Sequence, residues 1–280
     1  NPYRFSPQQV RDADSHGGNA DELQRLVDLR DSSAGLRNAL DRIHFARLPT
    51  CYPPVSQFVF ACGDILTPNG ASIEIRVLVL KCVLVLFDLA TVGLVWLLLV
   101  ATGRHRGWLV AYAWCPLVLK EFANSGHLDS IAVCFSALAA VCVVSYLVRD
   151  GNQPARWQLG GAVAATALAI GAKLYPVVLL PVFAAALAAK RSVRAAAVYL
   201  VGTLLLAAAL VAPMLLTEPA TPLTTTSDAE TTTGLEAFLT EWEMNDFLFM
   251  LVFENLRPVE EDASRPKIWF AVVPNSWRKA

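Results

Sequence analysis

Apolar residues are concentrated in long blocks in the middle of the chain, with short polar segments between them. A helix needs about 20 apolar residues to cross the hydrocarbon core of a bilayer, and several blocks approach or exceed this length. The pattern predicts an all-α, polytopic integral membrane protein with about six transmembrane or half-spanning helices, plus amphipathic helices in its outer loops. The blocks lie near 77–101, 108–119, 130–148, 159–171, 174–189 and 193–216.

Two of the blocks are too short to cross a membrane alone. Residues 108–119 and 159–171 comprise only 12 and 13 residues, and each is followed by polar positions, at 120–129 and at Lys173. A helix that ends inside the bilayer leaves backbone groups that need water or protein partners, so such breaks are expected to line a cavity. Alternatively, the first block extends through Ala123 and its polar continuation lies in the outer headgroups.

Charge is segregated between two sets of connecting segments. The loops 101–107, 149–158 and 190–194 together hold seven Lys or Arg residues against one acid, Asp150, whereas 217–267 holds eleven acids against three bases. Lys and Arg in short loops favour the cytoplasmic side, so the longer polar segments are predicted to lie outside. We therefore expect an outer region at 1–76, a transmembrane domain at 77–216 and a second outer region at 217–280.

The outer regions carry helical patterns of their own. Residues 1–50 place apolar positions at helical spacing, which predicts one or two amphipathic helices. The proline-rich 48–54 cannot be regular helix, and 55–62 predicts a short helix or an interfacial segment. Threonine, proline and acids indicate an outer loop at 217–233, and the amphipathic, aromatic 234–253 is expected to lie along the outer interface.

Composition excludes some partners. Only 17% of the residues are charged and the mean hydropathy is +0.46, and no basic stripe lies outside the cytoplasmic loops, so nucleic acid is not an expected partner. The spacing of Cys and His residues does not indicate a metal site. Cys51 and Cys62 fall on the outer side of the predicted topology and could form a disulfide.

Two opposite charges lie inside the first apolar block. Lys81 and Asp88 are seven residues apart and therefore share one helical face. Charged side chains in a membrane segment face protein or a water-filled cavity. We interpret the two as structural, either as an intramembrane pair or with Lys81 snorkelling to the interface, and a direct functional role is the alternative.

Under this topology, polar clusters at 1–3, 52–54, 120–129, 173–176 and 242–246 converge on the outer side. Asn-Pro-Tyr followed by Tyr-Pro-Pro in an outer loop resembles the polyprenol-phosphate-dependent glycosyltransferases of the GT-C superfamily. The nearer resemblance is to the mannosyltransferase-like glycosyltransferase family 87. The later stretches are similar to that family as well, so the resemblance covers nearly the whole chain. They lie at 114–121, 126–129 and 173–176.

The resemblance implies an enzyme that moves mannose or another hexose from a polyprenyl-phosphate donor to a hydroxyl of a glycan or glycolipid. The reaction would take place at the extracytoplasmic face of the plasma membrane. Nothing in the residues requires a metal or another cofactor, although the wider superfamily includes metal-dependent members. In the family an aspartate just upstream of the Asn-Pro-Tyr segment deprotonates the acceptor. We therefore expect this chain to be a fragment truncated at both ends, with its general base upstream of Asn1, and we do not assign that role to Asp12 or Asp14.

The remaining site residues would bind the two substrates. Cations and hydrogen-bond donors stabilise a departing phosphate, so Lys173, His127 and Lys120 are the candidates for binding the donor phosphate. A carboxylate two residues from His127 can orient its imidazole. The candidate substrate-binding residues are Tyr3, Tyr52, Asn124, Asp129, Tyr175, Trp242 and Asn245.

Several of these residues have a purely structural alternative. Lys173 could pair with Glu121 or Asp129 rather than with a phosphate. Asp129 could cap the helix that begins near Ser130, because Asp is a preferred N-cap residue. Lys120 and Glu121 could form an ion pair at the level of the headgroups.

Two alternatives also stand for the protein as a whole. Broken helices that carry charges are a feature of secondary transporters, and a non-catalytic membrane protein could share the same fold. Against a transporter, the sequence contains no evident inverted repeat.

Tyr52 and Trp242 could anchor the chain at the interface rather than bind a sugar.

Overall fold

A computed structural model describes residues 1–14, 21–148, 156–220 and 234. Within these ranges the chain forms eleven α-helices and no strand. The helices are α1 (Pro7–Asp12), α2 (Asp21–Asp31), α3 (Ala34–Asp41), α4 (Pro54–Ile65), α5 (Ile73–Ala101), α6 (Leu109–Ala113), α7 (Pro116–Val118), α8 (Asp129–Val148), α9 (Arg156–Ala172), α10 (Leu179–Lys190) and α11 (Val193–Leu216).

Three of these helices are long and apolar enough to cross a membrane. They are α5, α8 and α11, with 29, 20 and 24 residues, and they correspond to the predicted blocks at 77–101, 130–148 and 193–216. The all-α class is confirmed for the described residues, and these three helices support the prediction of a membrane protein. The described part of the chain thus holds three candidate spans, where the apolar pattern predicts about six transmembrane or half-spanning helices.

The other three blocks form shorter helical pieces. The block at 159–171 becomes α9, with 17 residues, and the block at 174–189 becomes a 3₁₀ turn followed by α10. The block at 108–119 is not one helix, because Cys115 before Pro116 has an extended backbone, as residues before proline prefer. It is divided into a 3₁₀ turn Arg106–Trp108, α6, α7 and a π-helical segment Leu119–Asn124.

Helix α9 packs between α8 and α11 through small side chains. Ala162, Ala167 and Ala169 are fully buried, and small residues of this kind allow helices in a membrane to approach closely. At Gly171 an added Cβ would lie only 2.7 Å from Val55 Cγ2. Since α4 can approach only because this side chain is absent, Gly171 fixes the end of α9 against α4.

Four of the polar segments predicted to converge meet at one end of the helices, which we call the polar end (1–4, 52–56, 124–129, 172–175 and 217). The fifth, 242–246, lies outside the described residues. The Ser56 hydroxyl donates to the carbonyl oxygen of Ala172 at 2.8 Å. The Asn1 side-chain amide donates to the Thr217 hydroxyl at 2.9 Å. The Lys81 ammonium, near the start of α5, donates to the carbonyl oxygen of Asn124 at 2.8 Å.

The described residues of the basic loops lie at the opposite end of the helices, which we call the basic end (101–107, 147–148, 156 and 190–194). Helices α5 and α8 both begin at the polar end and run away from it, whereas α9 and α11 return to it. At the basic end, an Arg191 guanidinium nitrogen donates to the carbonyl oxygen of Leu147 at 3.1 Å, and Arg106 lies over the Trp96 ring. The described basic loops therefore share one end of the helices, whereas the acidic stretch is described only at 217–220 and 234, and the orientation of the two ends in the cell stays a prediction.

The amphipathic spacing at 1–50 produces three short helices with a small core of their own. Val10, Leu23 and Val27 are buried there, and one nitrogen of Arg30 donates to three carbonyl oxygens of the α1 segment, including that of Val10 at 2.8 Å. Helix α3 is capped at its start, because the Ser33 hydroxyl accepts from the amide of Gly35.

Two predictions for the outer regions have different outcomes. The possible disulfide is wrong for this structure, because Cys51 and Cys62 are both free. Cys62 lies within α4, about two turns beyond the first residue of the helix, whereas Cys51 precedes the helix. The predicted interfacial helix at 234–253 lies outside the described residues except for Gly234, and the loop at 217–233 is described only over 217–220.

Candidate functional site

A shared carboxylate joins two cations or potential cations at the polar end. The Lys173 ammonium donates to both oxygens of Asp129, at 2.7 and 2.8 Å. The second of these oxygens, Oδ2, also lies 2.6 Å from Nδ1 of His127. The side chains of Lys173, Asp129 and His127 are 32%, 23% and 51% exposed. The carboxylate is therefore the most enclosed member of the cluster, and the imidazole faces solvent.

The backbone around His127 explains why the ring is held beside Asp129. The π-helical segment ends at Asn124, and Gly126 adopts the left-handed conformation, with φ of +68°, which is easy for glycine and costly for other residues. The amide of His127 then donates to the carbonyl oxygen of Glu121 at 2.8 Å. This loop places His127 two residues before Asp129, the first residue of α8.

Lys173 is placed by the end of α9. Its amide donates to the carbonyl oxygen of Ala169, so the backbone is still helical in its hydrogen bonding when the side chain reaches Asp129. Ala172 is fully buried, and its carbonyl oxygen accepts from Ser56. The sequence left Glu121 and Asp129 open as partners of Lys173, and the structure selects Asp129. Glu121 instead faces Lys120 at 3.7 Å.

Three further side chains surround the carboxylate. Tyr52 and Tyr175 are both partly exposed and lie close enough to feel the negative charge of Asp129. Burial raises the pKa of the Tyr52 phenol, and the negative charge of Asp129 raises it further. Burial also raises the pKa of the Cys51 thiol, while the nearby Lys173 acts in the opposite direction. The cluster therefore lies among aromatic side chains that are partly shielded from water.

Tyr3 holds Tyr52 in place. Its hydroxyl donates to the carbonyl oxygen of Tyr52 at 2.9 Å, and its ring packs with Val211 and Met214 of α11. Burial raises the pKa of the Tyr3 phenol to about 12. With only 6% of the residue exposed, Tyr3 anchors Tyr52 and does not itself face the cluster's solvent side.

The remaining candidate residues have different positions. Lys120 is 72% exposed and has only a long contact with Glu121, so the structure does not bring it into the shared carboxylate. Asn124 uses its backbone oxygen to accept from Lys81, and the residue is exposed. Trp242 and Asn245 lie outside the described residues.

The interpretation of Lys81 and Asp88 as a pair with each other is wrong. Lys81 donates to the carbonyl oxygen of Asn124, and Asp88 accepts from the Tyr112 hydroxyl at 2.8 Å. Both charges do face protein, as expected, but each has its partner in the broken segment that follows α5. The sequence analysis therefore missed the role of Lys81, which holds the loop that carries His127.

The chemistry available to the cluster follows from its charges. A bidentate carboxylate offsets the charge of Lys173, so Lys173, Asp129 and neutral His127 sum to zero. Within the described ranges, no group of three or more His, Cys, Asp or Glu side chains is placed to hold a metal ion. The side chains present can donate hydrogen bonds, hold an anion and move a proton.

The fold and the site define an all-helical membrane protein with a charged cluster at one end of its helices. Comparisons of the chain with models of protein families, with curated proteins and with solved structures found no match. The assignment to the class of membrane proteins therefore depends on the apolar helices described above. A more specific function depends on the site and on the sequence motifs.

Proposed function

We propose that this protein is a membrane glycosyltransferase of the GT-C type that moves a hexose such as mannose from a polyprenyl-phosphate donor to a hydroxyl of a glycan or glycolipid. The polar end would lie on the extracytoplasmic face of the plasma membrane. The observation that carries the proposal is the cluster of Lys173, Asp129 and His127 at the ends of apolar helices. There, a charged phosphate could meet cations while its prenyl chain stays in contact with lipid.

The reaction requires a group that stabilises the departing phosphate. The acceptor oxygen forms a bond to the anomeric carbon, the bond from that carbon to the phosphate oxygen breaks, and the phosphate leaves with the electron pair. Charge develops on the phosphate in the transition state, so a fixed cation beside it lowers the barrier. Lys173 is proposed for this role, and the acceptor's proton would pass to a general base, which the family resemblance implies is an aspartate.

The residues around the carboxylate are suited to a sugar. Tyr52 and Tyr175 expose aromatic surface beside Asp129, and aromatic rings with a polar edge suit a ligand that is apolar on one side and hydroxylated on the other. The Tyr52 ring is braced at right angles by Phe60, with centroids 6.0 Å apart. Asn124 and Asp129 supply hydrogen-bonding groups for hydroxyls at the same end.

The proposal is tested by separating donor binding from acceptor binding in the full-length protein. Lys173→Ala should weaken binding of a short-chain prenyl-phosphate mannose at least about tenfold, since charge-assisted hydrogen bonds are among the stronger polar contacts, with little change in acceptor KM. Lys190→Ala at the basic end is the matched control and should retain wild-type transfer. Equal loss of donor and acceptor binding in Lys173→Ala, or no loss, would show that Lys173 does not bind the donor phosphate.

Asp88 is the observation that favours a second candidate, a secondary transporter. Its carboxylate is buried within a candidate span and bound by Tyr112, and ionisable residues inside a membrane often mark ion pathways. Proteoliposomes with an internal pH indicator distinguish the two. A transporter would show a proton flux that Asp88→Asn removes, whereas the glycosyltransferase should show the same background flux with either protein.

A further inference from the structure

We infer that the cluster binds a phosphodiester anion only when His127 is protonated, so that capture of the donor takes up a proton from solution. This inference rests on the proposed function, because the donor of such a transferase is a sugar phosphodiester. It adds the protonation state in which the site accepts that ligand. It also assigns His127 a role distinct from that of Lys173.

The contact with Asp129 fixes the position of the hydrogen on the His127 ring. An ionised carboxylate can only accept hydrogen bonds, and Lys173 gives both oxygens of Asp129 a cationic partner. The 2.6 Å contact between Asp129 Oδ2 and His127 Nδ1 therefore requires the hydrogen on Nδ1. In the neutral imidazole, Nε2 then carries a lone pair and cannot donate to a phosphate oxygen.

The charge of the cluster depends on the protonation state of His127. With His127 neutral, the cluster has no net charge, and the ammonium of Lys173 is already engaged by a carboxylate. Desolvating an anion beside a neutral cluster is unfavourable. Protonation of His127 adds one positive charge and turns Nε2 into a donor, which matches the single negative charge of a phosphodiester.

The surroundings of the His127 ring favour its protonation. The imidazole is half exposed, so a proton can reach Nε2 from solution, and the ring is held from the other side by Asp129. A nearby anion favours the charged form of a histidine, just as the charged form favours the anion. Binding of the phosphate and binding of the proton are therefore expected to strengthen one another.

The other charged groups around the ring have partners of their own and do not replace Nε2 as a hydrogen-bond donor to the ligand. The charge of Lys81, whose partner is a neutral carbonyl oxygen, adds an attraction for anions that does not depend on His127. The Lys81 ammonium is directed at the Asn124 carbonyl oxygen, and Lys120 faces Glu121. Glu121 contacts His127 through its backbone oxygen. The remaining groups near the carboxylate are neutral phenols and a thiol, namely Tyr52, Tyr175 and Cys51.

The experiment measures proton uptake directly. Isothermal titration calorimetry of the full-length protein in phosphatidylcholine nanodiscs, with a short-chain prenyl-phosphate mannose as probe, is run in two buffers of different ionisation enthalpy. The wild-type protein should take up as much as one proton per probe bound. Its Kd should fall as the pH is lowered, by no more than about tenfold per pH unit, over the range in which histidines titrate, about pH 5 to 8.

His127→Asn is the informative variant, because the asparagine amide can still donate to Asp129 but cannot take up a proton. It should bind the probe more weakly at low pH and show neither uptake nor the pH dependence of Kd. His105→Asn is the matched control, since His105 lies at the basic end, where its Nδ1 accepts from the amide of Gly107. This control should behave as the wild type does.

The outcomes separate the inference from the proposed function. Binding of the probe without proton uptake, or uptake that persists in His127→Asn, would overturn the inference and leave the transferase standing. No binding of the probe by the wild type at any pH would overturn both. Nanodiscs that contain phosphatidylglycerol, and titration with inorganic phosphate, test the other sources of the same chemistry. If binding of phosphatidylglycerol causes the protein to take up a proton and prevents binding of the probe, the site recognises a lipid headgroup and not the donor.

Discussion

Lys173 and Asp129 lie 44 residues apart in the chain, yet the ammonium of the first donates to both carboxylate oxygens of the second. The contact ties the end of α9 to the beginning of α8. It also sets the position of His127, which shares one of the two oxygens. One carboxylate thus links the antiparallel helices and organises the candidate site, so its removal should affect both stability and ligand binding.

Asp129→Ala should lower the free energy of unfolding by about 1–3 kcal/mol, because it leaves a partly buried ammonium without the charged hydrogen-bond partner that it has now. Thermal unfolding in detergent, followed by circular dichroism, measures the change. Asp12→Ala is the control: its pair with Arg11 is more exposed, and exposed pairs contribute at most about 1 kcal/mol. Equal effects of the two substitutions would show that the shared carboxylate is structurally unimportant.

Gly126→Ala should weaken binding of the prenyl-phosphate probe and destabilise the protein. An alanine there would need a positive φ, and its Cβ would lie 2.9 Å from Lys81 Cγ, so the loop must shift and carry His127 with it. The backbone strain alone costs roughly 1–2 kcal/mol.

Gly103→Ala separates strain from displacement of the site. Gly103 has a φ of +66° but no atom near the added Cβ, and it lies at the basic end. The Gly103→Ala variant should be destabilised by a similar amount while retaining the wild-type Kd for the probe. A wild-type Kd in Gly126→Ala would contradict the view that this loop positions His127.

Alkaline pH should destabilise the wild type through Tyr3. Burial raises the pKa of its phenol from 10.0 to about 12 in the folded state, so the unfolded chain releases the proton first as the pH rises. The associated stability is therefore fully present below pH 10 and is lost between pH 10 and about 12. Unfolding followed at a series of pH values measures this slope.

Tyr3→Phe should have a shallower alkaline slope than the wild type. At neutral pH it should be less stable by about 1 kcal/mol, the usual net contribution of one hydrogen bond, because the carbonyl oxygen of Tyr52 loses its donor. An unchanged alkaline slope in this variant would show that Tyr3 is not the group responsible.

The two ends of the helices should face opposite sides of the membrane. In a variant without native cysteines, Ser125→Cys at the polar end should react with a membrane-impermeant maleimide added to intact cells. Thr102→Cys at the basic end should react only after permeabilisation. Both positions are exposed, so accessibility within the protein does not account for a difference. The reverse pattern would invert the predicted orientation and place the candidate site in the cytoplasm.

The longest helices could be predicted from the sequence because their signal is local. The apolar blocks that become α5, α8 and α11 are long, uninterrupted and bounded by polar residues, so no tertiary information is needed to find them. The break near 108–119 is indicated by the short length of the block and by the polar residues that follow it, whereas its division into several helical pieces is less visible in the sequence. The π-helical turn after it depends on where α8 must begin.

The partners inside the site could be only partly predicted. The two-residue spacing of His127 and Asp129 suggests their contact, and the structure shows it. The partner of Lys173 depends on how α8 and α9 pack, so the sequence leaves Glu121 and Asp129 equally open. For Lys81 and Asp88 the shared helical face is correct, but groups from the following segment satisfy both. Tertiary partners can outcompete a neighbour on the same helix.

The central claim, that the polar end binds the sugar phosphate, is tested most directly by photocrosslinking. A prenyl-phosphate mannose that carries a diazirine on the sugar is activated on the wild-type protein in nanodiscs, and the labelled peptides are mapped by mass spectrometry. The account predicts labels at 51–54, 124–129 and 173–176, which unlabelled probe suppresses and Lys173→Ala diminishes. Labels concentrated at 101–107 and 190–194, or labels spread evenly along the apolar helices, would contradict it.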